Sequence, residues 1–532
     1  MPVHDKAGTA EPTQPAGTAE LRMPRTDEGP AVARSWPARL RTLAGAVAAL
    51  PPRPRPGWRL PLATYAVCQL IFLFWWAGFY PGLMNRDSIT YVLHVTNGPW
   101  VNDHSVLYDS MVWLSLHTTG DLGALTLAQT AAMSAALAYT VVAFRRLGVP
   151  GRWTAVAAVV VAALPPLGSF IIFIWKDVPF SICAYLVVPT VAHLLSLRQS
   201  PGWCTDRRVN WLIAALGLEL LGMCLFRNNG FAPVLVAAVL LVMLLPGMRA
   251  RLAATAAAVL FATYLLNFFV YPAAGIKPMP SSLALGPVYA DIAVAYADAP
   301  YTFTAADRSL LQRVEPLAAW VKNANCYDSD QTTHPAGFIH RASLESHQLA
   351  SLWLRVLKRS PQLILQARIC RGSIAWLVFP GTASARAFVY GSQIPADLYG
   401  AATLKNVIDN PYRSELATRP LSGTVNSGTL FLRRASESPQ LEWLLWRGAT
   451  WCYSAYLVVW TVARRRRNWA LLALAAIVVG QQLTVFIDIP TQAFRYMASP
   501  IYIGIMLLPL FFARDRTAQP APNLPTTAER AR

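Results

Sequence analysis

Long apolar runs separated by short polar stretches dominate the chain. Windows long enough to cross a bilayer core of about 30 Å fall at about 61–80, 121–144, 153–175, 178–197, 209–226, 230–247, 251–272, 441–462, 468–487 and 495–513. The pattern predicts an all-α polytopic membrane protein of about 10 transmembrane helices. Two stretches depart from it. Residues 104–119 are too short and too polar for a crossing and predict a helix lying at the outer surface. Residues 361–380 are apolar but carry Arg368 and Arg371; a crossing there would break the charge rule set out below, so an interfacial or re-entrant helix is expected. Between the seventh and eighth windows, 273–440 has the composition of an extracytoplasmic, mostly helical domain. In it Thr304 with Asp307 forms a helix start before SLLQRV. Residues 343–358 place Leu344, Leu349, Leu352 and Val356 near one face before Ser360-Pro361 ends the helix.

Charge gives the helices a direction. Arg34, Arg39, Arg41, Arg53, Arg55 and Arg59 precede the first window with no acid among them, which makes that side cytoplasmic. Arg145 with Arg146, Arg198 with Arg207 and Arg208, Arg249 with Arg251, the run Arg464 to Arg467, and Arg514 with Arg516 then all fall on cytoplasmic turns. Both termini are expected in the cytoplasm of a multi-pass bacterial plasma-membrane protein. The organisation expected is a basic N-terminus over 1–60, disordered in its Ala-, Pro- and Thr-rich first 35 residues; a membrane domain over 61–272 with its first outer loop at 81–120; the outer domain over 273–440; C-terminal membrane helices over 441–513; and a disordered tail over 514–532. Residues 1–30 lack the apolar core and cleavage site of a removable signal, leaving the first span as the targeting signal. No internal repeat of the kind seen in many transporters stands out.

Composition removes whole classes of function. Of 532 residues 55% are hydrophobic and 14% charged, against about 25% charged in soluble domains, which excludes a water-soluble enzyme. The net charge of +19 sits in short clusters between apolar runs and reports topology, not nucleic-acid binding. The seven cysteines have no metal-ligand spacing; Cys326 and Cys370 are the pair able to join outside the membrane.

Ionisable residues that topology does not require collect at the outer ends of the windows. The first outer loop carries Arg86, Asp87, His94, Asp103, His104 and Asp109; the second reads Trp175-Lys176-Asp177, the third Phe226-Arg227-Asn228-Asn229-Gly230, and the last Asp488-Ile489-Pro490 followed by Phe494-Arg495-Tyr496. Ionisable groups at membrane depth are costly, so together these outline one outward-facing polar cavity. Each has a plainer explanation. Asp87 and Ser88 would cap a helix beginning at ITYV, Lys176 and Asp177 would form a local ion pair, Arg227 would be solvated in its turn, and Arg495 would snorkel to headgroups. His334, His340 and His347 suit no metal motif and read as surface histidines. Tyr289, Trp320, Tyr327 and Trp353 read as core aromatics before sugar-stacking faces.

A carboxylate near several cations at a lipid–water boundary suits transfer from a lipid-linked phosphate donor to a hydroxyl. The carboxylate accepts the hydroxyl proton while Arg and Lys stabilise the leaving phosphate. There is no GxGxxG and no GxxxxGK, which disfavours a nucleotide-linked donor.

The arrangement resembles the GT-C superfamily of integral-membrane glycosyltransferases, and within it an uncharacterised bacterial branch. The motifs that carry the resemblance are Tyr80-Pro81-Gly82 with Asp87-Ser88, His104, Trp175-Lys176-Asp177, Phe226-Arg227 with Asn229-Gly230, and Phe494-Arg495-Tyr496, spread over most of 61–513. The resemblance implies a polyprenyl-phosphate sugar donor, Asp87 as catalytic base, and Lys176, Arg227 and Arg495 as donor-phosphate ligands. Arg86, Asp103, His104, Asp177 and Asn229 would support them, and direct attack would invert the anomeric centre. The acceptor would be an envelope glycan, lipid or protein, with membrane lipids around the protein and no nucleic acid. Asn85-Arg86-Asp87 stands where many members have two nearby acids, so no metal ligand is assigned and a divalent cofactor is unsupported. The competing expectations are a secondary transporter or lipid flippase, which would use its charges near the bilayer midplane, and a non-enzymatic envelope-assembly protein.

Overall fold

The computed structural model describes residues 57–200, 202–380 and 409–514. The segments expected to be disordered, 1–35 and 514–532, fall outside the described residues except for Arg514. The described chain is almost wholly helical, with one parallel pair of two-residue strands, β1 (Val101–Asn102) and β2 (Lys277–Pro278).

Among the described residues six helices are long and apolar enough to cross a membrane: α1 (Arg59–Gly78), α4 (Gly123–Arg146), α7 (Asp177–Leu197), α8 (Arg207–Phe226), α10 (Arg249–Ala273) and α17 (Trp469–Ile487). Shorter apolar helices occupy three further windows: α5 (Gly151–Ala163), α9 (Phe231–Leu244) and α18 (Ala498–Phe512). The window at 441–462 holds α16 (Gly448–Arg465). Prolines account for two of the shortfalls. The 153–175 window divides at Leu164 because Pro165 disfavours helical backbone before it, giving α5 and then α6 (Pro165–Phe170), and α9 stops one residue before the Leu245-Pro246 pair. α7 is the centre of the bundle, 83% of its apolar window being buried, whereas α1 and α10 bury only 28% and 11% of theirs. Apolar faces so exposed are stable against lipid and not against water.

Two helices lie in the first loop. α2 (Arg86–Thr96) and α3 (Val106–Thr119) pack on each other; α3 is the helix expected over 104–119, and its 14 residues span only about 21 Å. Within 273–440 the described residues fall into two packing groups. A second hydrophobic core, separate from that of the bundle, runs from Tyr289 to Ile364 and is built from α11 (Gly286–Asp298), α12 (Ala305–Val314), α13 (Ser346–Arg359) and α14 (Pro361–Arg371). Residues 409–436 join the bundle instead: α15 (Gly423–Ser436) packs on α1, with Asn426 Nδ2 donating to the Gly78 carbonyl at 2.7 Å.

Local signals explain the outer helices. Thr304 and Asp307 form a capping box at the start of α12. α13 buries Leu349, Leu352 and Val356, but Leu344 is 73% exposed because a separate short helix, Phe338–Leu344, ends there. Tyr289 and Trp320 are buried core aromatics, and His334, His340 and His347 are exposed. α14 has 11 residues, about 16 Å of helix, too short to cross. Its two arginines are not spent on a membrane surface. Arg368 and Arg371 hold the fully buried Asp291 of α11 at 2.5 and 2.8 Å. The long apolar stretch at 361–380 is therefore partly the inner face of the outer core.

Cys326 and Cys370 are joined by a disulfide, 44 residues apart in sequence with Cα atoms 5.7 Å apart. It ties α14 to the segment that meets the bundle at Tyr327. Replacing both cysteines by serine is expected to destabilise this outer core by about 2–3 kcal/mol. Amide hydrogen exchange would show faster opening over 286–364 while the bundle helices keep their protection.

Candidate functional site

The segment before α2 and the segment between α6 and α7 meet in a short parallel bridge. Leu83 pairs with Phe173; the Leu83 amide donates to the Ile172 carbonyl at 3.1 Å, and the Ile174 amide donates to the Leu83 carbonyl at 2.9 Å. Gly82 permits it, since a Cβ there would stand 2.6 Å from the Ile172 oxygen. Three residues on, Asn85 caps α2: its side chain accepts from the Asp87 and Ser88 amides, and Ser88 Oγ donates to the Ile174 carbonyl at 2.8 Å. Ser88 Oγ in turn accepts from the Asn85 amide at 3.0 Å, so Asn85 and Ser88 form the capping box and the cap expected of Asp87 falls to Asn85. The Asp87 carboxylate is released from the helix end and points to Arg495, which donates to its Oδ2, and to His104, whose Nε2 lies 3.8 Å from Oδ1.

The other loops close around this pair. Ser105 Oγ donates to the Leu225 carbonyl at 2.8 Å, and Asn228 Nδ2 donates to the Asn102 carbonyl at 3.1 Å, so the end of α8 brings Arg227 to the first loop. Arg227 Nε lies 3.4 Å from Asp177, and its guanidinium sits 4.7 Å from the centre of the Tyr496 ring and 5.1 Å from that of Phe180. Arg495 is held between the Trp175 and Tyr496 rings, with Asp177 at 3.9 Å. The outer core closes the remaining side: Ser329 donates its amide to the Pro490 carbonyl at 2.7 Å, and Asp328 bridges Thr491.

The result is a cavity of about 470 Å³ lined by Asp87, Asp103, His104, Lys176, Asp177, Arg227, Asn228, Asn229, Asp330, Asp488, Arg495 and Tyr496. Of the candidate residues, all but Arg86 line it. Arg86 is exposed on the first turn of α2 and meets His334, so it joins the first loop to the segment after α12. The helix direction explains this: with Asn85 as cap, successive residues 86 and 87 point about 100° apart. Neither Arg227 nor Arg495 is a solvated or snorkelling residue. Arg227 is 6% exposed, and the Arg495 side chain is flanked by two rings and two carboxylates. The Lys176 ammonium has no hydrogen bond and no ion pair within 4 Å among the described residues, its carbonyl alone accepting from the Phe180 amide at 3.2 Å.

Behind Asp87 runs a chain of alternating carboxylates and imidazoles. His104 Nδ1 lies 2.9 Å from Asp103, His94 Nε2 lies 3.8 Å from the same Asp103 oxygen, and His94 Nδ1 lies 3.0 Å from the fully buried Asp109. His94 and Asp109 had no assigned role in the sequence. Their signal was there, an Asp in the first turn of one helix and a His in the last turn of another, but the contact between α2 and α3 is needed to see it.

The charges settle each other. Burial works to raise the Asp87 carboxyl, yet the Arg495 guanidinium and His104 hold it well below the usual carboxylate range. Burial and Lys176 work to lower His104, and the neighbouring Asp103 and Asp87 carboxylates win, leaving it raised. Burial lowers Lys176 against the pull of Asp177 and Asp87. The site therefore holds an ionised carboxylate, an imidazole favouring its proton and one uncommitted amine in a partly dry cavity. Among the described residues no group of three or more His, Cys, Asp or Glu side chains is arranged to hold a metal ion.

No protein-family model matches this chain, and no curated protein or solved structure is similar to it beyond chance.

Proposed function

We propose that the protein is a membrane glycosyltransferase that moves a sugar from a polyprenyl-phosphate donor to an envelope acceptor hydroxyl on the outer face of a bacterial plasma membrane. Asp87 is the general base and Lys176, Arg227 and Arg495 are the donor-phosphate ligands. The reading includes ten crossings with both termini cytoplasmic, the four shorter or more polar legs completing the six long helices. The observation that carries it is the release of Asp87 from helix capping by Asn85, which leaves a carboxylate beside a cation cluster in a cavity at the helix ends. Asp177 begins α7, Arg227 follows α8 and Asp488 follows α17. A transporter would hold such groups near the helix midpoints.

Arg495 and Arg227 are paired with Asp87 and Asp177, so the anionic donor binds by exchange. Lys176 gives it a first uncommitted cation, and its phosphate then takes over Arg495. Asp87, relieved of that partner, gains basicity when the acceptor hydroxyl must give up its proton. The hydroxyl oxygen bonds to the anomeric carbon as the bond to the phosphate oxygen breaks, inverting that centre. Polyprenyl phosphate leaves with its charge on the cations. His104 orients Asp87, with Asp103, His94 and Asp109 aligned behind it.

The test is release of polyprenyl phosphate by the purified protein in detergent, from a panel of polyprenyl-phosphate sugars with envelope extract as acceptor. Release that depends on acceptor supports the reading; none from folded protein over a broad panel overturns it. His104→Asn is expected to lower kcat on the order of tenfold with little change in donor KM, the scale of an orienting partner.

A further inference from the structure

The helices that carry the site at one end enclose a second cavity at the other. It is bounded by the start of α1, the last turns of α4 and α7 and the first turns of α8, with a volume of about 560 Å³. The 20 residues of α1 separate its mouth from the Tyr80 loop, about 30 Å at 1.5 Å per residue. It therefore lies at the membrane face opposite Asp87, and nothing in the proposed reaction uses it.

Its chemistry is that of an amphiphile's mould. Leu62, Ala138, Val142 and Leu212 make an apolar wall, and Arg146 and Arg208 stand in the lining. Asp206 holds Arg208 at 2.5 Å, but Arg145, Arg198 and Arg207 on the same helix ends leave the rim positive. Deeper in the wall, His193 is 3% exposed and neither ring nitrogen has a hydrogen-bond partner among the described residues. The Tyr139 ring lies 4.9 Å away and fixes the imidazole in place. Buried polar atoms take partners from whatever occupies the space beside them. Trp58 and Trp211, 66% and 76% exposed, flank the cavity as indole rings do at a membrane–water boundary.

We propose that this cavity binds an anionic phospholipid of the leaflet on that side. Its phosphodiester lies against Arg146 and Arg208, an acyl chain lies along the apolar wall, and an ester carbonyl accepts from the His193 ring N–H. A soluble phosphate would leave the wall unused, and a zwitterionic lipid would forgo the net charge the rim complements. The proposal is independent of the transferase reading.

Native mass spectrometry of the whole protein in detergent tests it, with phosphatidylglycerol, phosphatidylcholine of the same chains, and glycerol phosphate as probes. Wild type should retain phosphatidylglycerol about tenfold over phosphatidylcholine, as two interfacial arginines warrant, and glycerol phosphate should not displace it. Arg146→Gln and the cavity-filling Ala138→Phe should each bring the two lipids to parity, with helicity and thermal unfolding in lipid-free detergent like wild type's. Equal retention by wild type overturns the proposal. So does a preference that survives in both variants, or displacement by glycerol phosphate as effective as that by whole lipid.

Discussion

Asp87→Asn is expected to abolish polyprenyl-phosphate release by a factor on the order of 10²–10⁴ while the protein still binds donor. The asparagine keeps the size of the side chain and still accepts from Arg495, so α2 stays capped by Asn85 and the loop bridge at Leu83 is untouched. What is lost is the ability to take a proton. Donor affinity should hold or rise, because Arg495 no longer has a carboxylate competing with phosphate. This split between binding and turnover separates a base from a structural ion pair. Were Asp87 only a brace for Arg495, the variant would lose stability and affinity together and its kcat would fall little.

The same measurement divides the transferase from transport. A transporter using Asp87 as a proton or substrate ligand would show no acceptor-dependent release in either form, and the mutation would alter uptake into vesicles instead. The geometry favours the first outcome. The carboxylate, the cations and Asn229 stand at helix ends, in a cavity that the segment after α12 reaches through Asp330.

Much of this was legible in the sequence, for a physical reason. Crossing a bilayer demands apolar length, so each of the six long helices overlaps a window visible as hydropathy to within about two residues at either end, and the loops bearing charges follow from where the windows stop. Local chemistry was legible as well: Thr304 with Asp307 makes its box from residues three apart, and Cys326 finds Cys370, the other cysteine of the 273–440 stretch. Side-chain partners set by tertiary approach were not. Nothing near Arg368 and Arg371 in sequence shows that Asp291, some 80 residues earlier, pairs with them. Asn85 was the exception within reach. An Asn three residues before a Ser is a capping signal, and it removes the plainest explanation of Asp87.

Arg495→Gln is the complementary test, and its sign can be worked out for pH. The loss of the guanidinium should cost about 10²–10³ in kcat/KM for the donor, the scale of removing one preorganised charge stabiliser; Lys should restore part of it, supplying charge without the fork. In wild type, burial pushes the Asp87 carboxyl up, and Arg495 with His104 overrides it, so the group stays ionised to well below the usual carboxylate range. Without Arg495 burial is opposed only by His104 and the more distant Lys176, and the carboxyl moves upward. A base works only when ionised, so the acid limb of the kcat/KM profile should shift to higher pH in the variant. Stability follows the same linkage. A depressed folded-state pKa contributes stability that is present above the unfolded value of about 4 and is lost as pH falls through the folded one. Arg495→Gln forfeits that contribution, so its destabilisation relative to wild type should be full at neutral pH and shrink as the solution is acidified below about 4. An acid limb that stays in place while donor affinity falls would mean that Arg495 serves the phosphate alone and that some other group takes the proton.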